Sequence, residues 1–337
     1  MQNIAVDVMS GEKAPELLIK GALKAAEEDK SIKLTLIGSY DIISRELANY
    51  NLSEDRIEIA EAEEIINMDE SPVKALRKKK NATVNVGAKL LKSAEVDAFI
   101  SPGNTGSVLA AGLLRVGRIK GISRPPIAIN FPSRDGSTLV LDNGANTDCS
   151  PENLQQFALI GQLYAENIMK IDNPKVGILN IGEEESKGNN LSKETYQLLK
   201  EDKRIKNFIG NIEGRDIFTD KCDVVVTDGF VGNVVLKTTE GAASFFMDLL
   251  KESLKSNLIT KIAAFMLKPY LKKVLKKIDY RQYGGAPLLG VNGVLIISHG
   301  SSDDTAIYNA VKAAKKSVEE DIVSLIKSEV EKSEELE

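Results

Sequence analysis

Ala98-Phe99-Ile100-Ser101-Pro102-Gly103-Asn104-Thr105-Gly106 decides the fold: a short apolar run stops at a Pro/Gly/Asn cluster, and a helical pattern over 105–116 follows. The same grammar recurs at Asp142-Asn143-Gly144-Ala145-Asn146, Asn180-Ile181-Gly182-Glu183-Glu184-Glu185, Asp228-Gly229-Phe230-Val231-Gly232-Asn233 and Ser298-His299-Gly300-Ser301-Ser302-Asp303. In an open α/β sheet such loops gather at the carboxyl ends of the strands, where ligands bind. Glycine lets the backbone come close, and helix N-termini present N–H groups to an anion. A single loop of this kind is weak evidence. Five together point to one polar crevice for a phosphate-like or carbonyl-oxyanion ligand.

Working outward, strand-like runs fall at 4–8, 33–37, 57–60, 98–101, 127–131, 138–141, 176–180, 224–227 and 294–297. Several are continuously apolar, as strands buried on both faces are. Helical patterns lie between them, including 15–28, 105–116, 151–169, 191–200, 231–250 and 303–327. Ser150 followed by Pro151 and Glu152 is a strong helix start. The alternation predicts an α/β fold with a mainly parallel sheet and helices on both faces. No Gly/Ser- or Pro-rich linker appears, so residues 1–337 read as one α/β domain, open to division into two lobes around one crevice.

The chain has 337 residues, 42% of them hydrophobic and 28% charged, a globular composition. A formal net charge of −5 disfavours bulk nucleic-acid binding. Cys149 and Cys222 are too few for a disulfide framework or a zinc site. No signal-peptide pattern opens the chain, and no apolar run reaches the roughly 18 residues of a membrane span. A cytoplasmic protein without a bound metal or cofactor is the expectation.

Charge is uneven. Residues 251–281 carry nine Lys or Arg against Glu252 and Asp279, a local net of +7 that leaves −12 for the rest. In this basic amphipathic excursion Leu258, Ile262 and Phe265 share one face; after Pro269, Leu271, Val274, Leu275 and Ile278 share another. Lys272/Lys276 and Lys273/Lys277 repel at i, i+4, so solvated helix stability is not their purpose. Three readings stay open: a core-packed helical pair with a basic outer face, a segment that lies on anionic lipid, and a site for an acidic protein.

The remaining chemistry also has bland and sharp readings. Gly103-Asn104-Thr105-Gly106 is a plain turn or a phosphate loop. Glu183, Glu184, Glu185 and Lys187 just past a strand are either solvated or used. His299, the only histidine, is a structural group or an oxyanion donor and proton carrier. Cys149 has no nearby histidine and is a poor nucleophile candidate. The turn after the first strand, Met9-Ser10-Gly11-Glu12-Lys13-Ala14-Pro15, does not match the dinucleotide fingerprint.

The blocks Val6-Asp7-Val8-Met9-Ser10-Gly11-Glu12-Lys13-Ala14-Pro15, 101–119, Leu141-Asp142-Asn143-Gly144-Ala145-Asn146, 179–188, 227–233, Tyr283-Gly284-Gly285-Ala286-Pro287-Leu288-Leu289-Gly290 and 298–303 together resemble the acyl-carrier-protein:phosphate acyltransferase family. They run in order from Ile4 to about Asn309. The resemblance implies transfer of a long-chain fatty acyl group from acyl carrier protein to inorganic phosphate, giving acyl phosphate for phospholipid synthesis. It also implies a fold similar to phosphate acetyltransferases and isopropylmalate-type dehydrogenases, a homodimer, and a membrane glycerol-3-phosphate acyltransferase as the next enzyme. Ser10 and Glu12 depart from the Gly and Asp usual in the family. Serine would be strained if position 10 required positive φ, so this loop stays outside the candidate site.

On that resemblance, Gly103, Asn104, Thr105 and Gly106 with Lys187 are expected to bind phosphate. Asn146, Asn180 and Asn233 are expected to place the thioester or its oxyanion. Asp142, Glu183 and Asp228 orient donors, and His299 is a candidate acid. Arg115, Arg118, Lys120 and Arg124 form the expected rim for the acidic carrier protein. Leu258, Ile262 and Phe265 are the expected contacts with anionic membrane, which would make the protein peripherally associated. Two rival classes remain: an enzyme using a coenzyme A thioester, and a non-catalytic lipid or carrier-protein binding module.

Overall fold

The computed structural model describes residues 1–50, 53–277 and 279–334. In chain order the elements are β1 (Gln2–Asp7), α1 (Pro15–Glu28), β2 (Ile32–Gly38), α2 (Tyr40–Leu47), β3 (Ile57–Glu61), α3 (Pro72–Lys78), α4 (Thr83–Lys92), β4 (Ala98–Ser101), α5 (Thr105–Ala111), β5 (Ala128–Pro132) and β6 (Ser137–Leu141). They continue as α6 (Pro151–Tyr164), β7 (Val176–Asn180), α7 (Asn190–Glu201), β8 (Phe208–Glu213), β9 (Val224–Val226), α8 (Gly229–Lys255), α9 (Leu258–Lys277), β10 (Ala286–Pro287), β11 (Val294–Ile297), α10 (Asp304–Glu319) and α11 (Ile322–Glu334).

The strands form two sheets where the sequence suggested one. The first runs β10-β11-β4-β1-β2-β3 and the second β5-β6-β9-β7-β8. Each is parallel except for one antiparallel edge strand, β10 in the first and β5 in the second. Those two edges meet: Ile127 bridges Leu288, and Leu289 N donates to Pro126 O at 3.0 Å. The sheets are therefore joined at a seam.

Period-2 alternation explains the layering. Ile4, Val6, Leu34, Leu36 and Ile100 enter one core with α1 and α10, while Ala5, Ile37, Phe99 and Ile297 enter another with α4 and α5. The first of these cores continues into the second sheet through Leu139, Leu141, Val176, Ile178 and α6. Asn153 Oδ1 accepts the Ser150 N–H at 3.0 Å, so α6 starts where the Ser-Pro pair puts it.

Four differences from the sequence reading have local causes. β8 went unseen because Gly210 and Asn211 interrupt its apolar pattern; Gly210 has φ +87° beside a register shift. The pattern over 303–327 is two helices, because Asp321 adopts φ 45° and breaks it. Pro269 lies inside α9 and does not divide the pair; the break is at Asn257, whose Oδ1 accepts Thr260 N at 3.0 Å. Positive φ falls on Gly11 at +105°, so Ser10 carries none of the strain feared for it.

α8 spans 27 residues, about 40 Å at 1.5 Å per residue. Only its start is buried, and α9 leads the chain back to the body, where Arg281 pairs with Asp303 at 2.6 Å. Leu258, Ile262 and Phe265 are 73%, 56% and 78% exposed, so within this chain the helical pair is not packed in the core. Of the second apolar face, Ile278 and the side chains of Val274 and Leu275 lie outside the described residues.

Candidate functional site

At the seam between the sheets lies a cleft of about 190 Å³. β5 contributes Ile129 and Asn130, with Ile127 just before it; the loop after β6 contributes Asn143. Ile297, Ser298 and His299 come from the end of β11, and Thr105 from the start of α5. Tyr283, Gly285 and Ala286 lie on the segment before β11, and Asn233, Leu236, Lys237 and Glu240 complete the wall. Their i, i+3, i+4, i+7 spacing puts all four on one face of α8. The walls are largely apolar, with a few convergent polar groups, as in small-molecule sites generally.

A second cavity, of about 410 Å³, opens against the start of α8. Val231 and Val235 line it with Asn180, Gly188, Thr227 and Asp228. The expected site residues are thus divided. Thr105, Asn233 and His299 line the cleft; Asn180 and Asp228 line the neighbouring cavity. Lys187 is exposed and lines neither.

Several expected ligands are engaged in holding their own loops. Gly103 N donates to Ser101 Oγ at 3.1 Å, and Asn104 caps α5 by accepting Ser107 N at 3.0 Å while Nδ2 donates to Met68 O at 2.9 Å. Gly106 faces Pro72. Of the expected phosphate loop, only Thr105 lines the cleft. A short polar loop bonds itself before it can bond a ligand, since buried donors must be satisfied.

Asp142 is fully buried and accepts from Ile127 N at 2.8 Å, Ala145 N at 3.2 Å and Asn146 N at 2.6 Å. Burial nevertheless holds its carboxyl above the ordinary range. Asn146 Nδ2 is divided between Asp142 Oδ2 and Pro125 O, both at 3.0 Å. This pair ties the seam together. Asn180 Oδ1 accepts Ile181 N at 2.8 Å and its Nδ2 donates to Lys187 O at 3.2 Å, shaping the 181–188 loop. Glu183 pairs with Lys221 at 2.7 Å, and Glu185 with Lys200 at 3.2 Å. Asp228 accepts Val231 N at 2.9 Å as the cap of α8.

His299 Nδ1 accepts Ser301 N at 3.1 Å and lies 2.8 Å from Ser301 Oγ. With Nδ1 an acceptor, the neutral ring carries its proton on Nε2. Cys149 is half-buried, its thiol pushed up to about 11 first by burial and then by Asp142. A thiol so hard to ionise is no nucleophile. Arg118, Lys120 and Arg124 are exposed and Arg115 half-buried, on the segment leading from α5 to β5. Arg118 Nη1 donates to Ser123 O at 2.5 Å.

Sequence reasoning missed Asn130, Asn143, Lys237, Tyr283 and Ser298 as cleft residues. Asn143 and Ser298 stood inside quoted loops; Lys237 was visible only as the i+4 partner of Asn233. It also set aside the first loop, where Asp7 is fully buried. Asp7 accepts from Met9 N at 3.2 Å, Ser10 N at 3.0 Å, Thr83 Oγ1 at 2.9 Å and Ser101 Oγ at 2.8 Å. Glu12 N donates to Gly300 O at 2.7 Å. The first loop is therefore the tie between the 101–106 and 298–303 loops. Among the described residues, no group of three or more His, Cys, Asp or Glu is placed to hold a metal ion.

Residues 2–325 match the family described as fatty acid synthesis protein. A phosphate acyltransferase of Halothermothrix orenii is 57% identical over 329 residues, 98% of each chain. One from Thermoanaerobacter pseudethanolicus is 48% identical over 328 residues, 97% of each. Among solved structures, a phosphotransacetylase from Staphylococcus aureus aligns over 94% of both chains with TM-score 0.60 at 15% identity. One from Streptococcus pyogenes aligns over 95% of this chain and 94% of its own, with TM-score 0.61 at 14% identity. At that identity the structural likeness speaks for the fold.

Proposed function

We propose, from the premise that this chain belongs to the fatty acid synthesis protein family, that it transfers a long-chain fatty acyl group from acyl carrier protein to inorganic phosphate. The supporting observation is the seam cleft, which sets Thr105, Asn143, Asn233, Ser298 and His299 around apolar walls drawn from both sheets. Phosphate is a nucleophile without a strong base, and a thiol of pKa about 8.5 leaves readily. A phosphate oxygen adds to the thioester carbonyl, the C–S bond breaks, and the thiolate takes up a proton. The protein's work is placement and stabilisation of the tetrahedral oxyanion, each able to lower the barrier by several kcal/mol.

In this reading the Asn233 amide and the Nε2–H of His299 are the oxyanion donors, and Lys237, paired with Glu240 at 2.8 Å on the same wall, offers its remaining N–H donors. Asn180, Glu183 and Lys187 act from the neighbouring loop, with Lys187 as a second cation for phosphate. Asp142, Asn146 and Asp228 hold the backbone around them. The chain works as one catalytic unit of two lobes, with residues 251–281 as an excursion. Arg115, Arg118, Lys120 and Arg124 receive the acidic carrier protein.

The helical pair serves assembly and location. Its turn at Asn257 lies at the opposite end of α8 from the buried start, and in this reading the exposed Leu258, Ile262 and Phe265 reach an anionic membrane while the exposed Phe245, Phe246 and Leu249 on the stem meet a second copy. Release at the bilayer delivers the labile product to the membrane acyltransferase that consumes it. Among the described residues no helix is long and apolar enough to cross a membrane, which suits peripheral attachment.

The test is to incubate the protein with phosphate and either palmitoyl carrier protein or acetyl coenzyme A. Acyl phosphate from the first alone supports the reading. Product from acetyl coenzyme A alone favours the rival enzyme, and no product from either favours a binding module.

A further inference from the structure

A second basic face lies beside the seam cleft. Residues 71–94 carry seven Lys or Arg and no Asp or Glu. Lys79 pairs with Glu70 at 2.5 Å. The other six, Lys74, Arg77, Lys78, Lys80, Lys89 and Lys92, are exposed, and none makes a salt bridge among the described residues. Five carboxylates precede them at 61–70; Glu70 is taken by Lys79, and Glu64 accepts Asn81 N at 3.3 Å.

Cations suit the last turn of a helix, which accounts for Arg77 and Lys78 on α3 and for Lys89 and Lys92 on α4. It does not account for Lys74, in the first turn of α3, where the dipole disfavours positive charge, nor for Lys80 beyond its end. Unpaired like charges repel, so holding the fold is not their purpose. Apolar side chains stand among them: Ile65, Met68 and Val73 are 40%, 46% and 41% exposed. Apolar contacts within a rim of charge are the anatomy of a protein interface.

The start of α3 abuts two loops that supply the cleft. A Cβ on Gly106 would stand 2.7 Å from Pro72 Cγ, and one on Gly300 2.8 Å from Met68 Cε. Thr105 and His299, beside those glycines, line the cleft. Away from it, Lys89 Nζ reaches Lys80 O at 3.4 Å, and the 112–116 turn that carries Arg115 packs on α4. The basic surface thus continues from α3 along α4 to Arg115. Arg118 bridges Val291, which is about 20 Å from Ile297 along β11 at 3.3 Å per residue, so the α3 end is the one nearer the cleft.

We infer that the acidic carrier protein docks on this face, with Lys74, Arg77 and Lys78 as its charged contacts nearest the cleft and Met68 and Val73 as apolar ones. A protein that delivers an acyl group must sit where its arm reaches the reacting atoms, and charge complementarity selects an acidic surface there. The inference rests on the phosphate acyl transfer reading and adds α3 to the docking face, whose far end is the rim at Arg115 and Arg118.

The test is binding of fluorescently labelled acyl carrier protein to the full chain and to its Lys74→Glu/Arg77→Glu/Lys78→Glu variant, followed by anisotropy as salt is raised. At low salt the Kd should rise about tenfold or more, and the gap should close as salt screens the charges. Thermal melts and the phosphate KM should match wild type, because these side chains are exposed. Should charge reversal impair folding, the Lys74→Gln/Arg77→Gln/Lys78→Gln variant must show a smaller loss in the same direction. An unchanged Kd in a folded variant overturns the proposal, as does a loss that salt leaves undiminished. Unchanged carrier binding with lost binding to anionic vesicles also overturns it and assigns the face to lipid. A wild type that neither binds carrier protein nor makes acyl phosphate defeats the acyl transfer reading itself, and the docking face with it.

Discussion

Single residues divide into those that hold loops and those proposed to meet ligand. Lys187 is the instructive case, since the sequence offers a lone cation beside three carboxylates and the structure puts it on an exposed loop beside the second cavity. Lys187→Ala should raise the phosphate KM or lower kcat tenfold or more with the fold intact. Unchanged phosphate kinetics in a folded variant would remove it from the site. Asp7 belongs to the other group. Burial outweighs the four hydrogen bonds it accepts and holds its carboxyl above the ordinary value. Because the folded state favours the protonated form, Asp7's contribution is fullest below the unfolded value of 3.8 and is lost as pH rises through the folded one. Asp7→Asn cannot titrate, so wild type should lose stability relative to the variant as pH climbs above about 4. Parallel stability-versus-pH curves from denaturant melts would contradict this. Asp7 was illegible beforehand because nothing in the run Asn3-Ile4-Ala5-Val6-Asp7 says that its last member is enclosed by Thr83 and Ser101.

α8 is where fold and site depend on one element. Gly232 sits in its first turn, and a Cβ there would stand 1.9 Å from Asp142 O, whereas nothing lies within 4 Å of one at Gly241. Gly232→Ala should destabilise by about 1–3 kcal/mol or more through overpacking. Gly241→Ala, on the open stem, should stabilise by about 0.5–1 kcal/mol through helix propensity. Urea melts of the pair decide it; equal effects would mean that the first turn does not press on the Asp142 loop. At the far end, replacing Leu258, Ile262 and Phe265 with polar residues should release the protein from anionic vesicles. Activity with soluble acyl carrier protein should survive, because these side chains are exposed. Each Lys or Arg near such a surface contributes about 1 kcal/mol, so binding should also weaken with salt. A triple variant that stays folded but becomes monomeric would assign those side chains to the subunit interface.

For the whole molecule, the question is how a net-acidic chain would meet the acidic carrier protein proposed as its partner. The exposed arginines between α5 and β5 offer a local positive face that the net charge of −5 hides. Rim charges act mainly on association rate and its salt dependence. Arg118→Glu should therefore raise the carrier-protein KM several-fold at low salt and progressively less as salt increases. No change at low salt would move the docking face elsewhere.

The sequence by itself determined the α/β class, nearly all the strands, the loop grammar and the basic excursion. Those properties are written in local periodicity and composition, which neighbouring residues enforce on one another. The tertiary structure decided that there are two sheets joined by antiparallel edges, since edge pairing depends on partners such as Ile127 and Leu288 that are far apart in the chain. It decided too which polar side chains are satisfied within the fold. Asn104 and Asn143 look alike in sequence, but Oδ1 of one caps a helix while Oδ1 of the other is unbonded beside the cleft. Hydrogen-bond satisfaction is settled only when every buried donor and acceptor has met its neighbours, and those neighbours come from the whole fold.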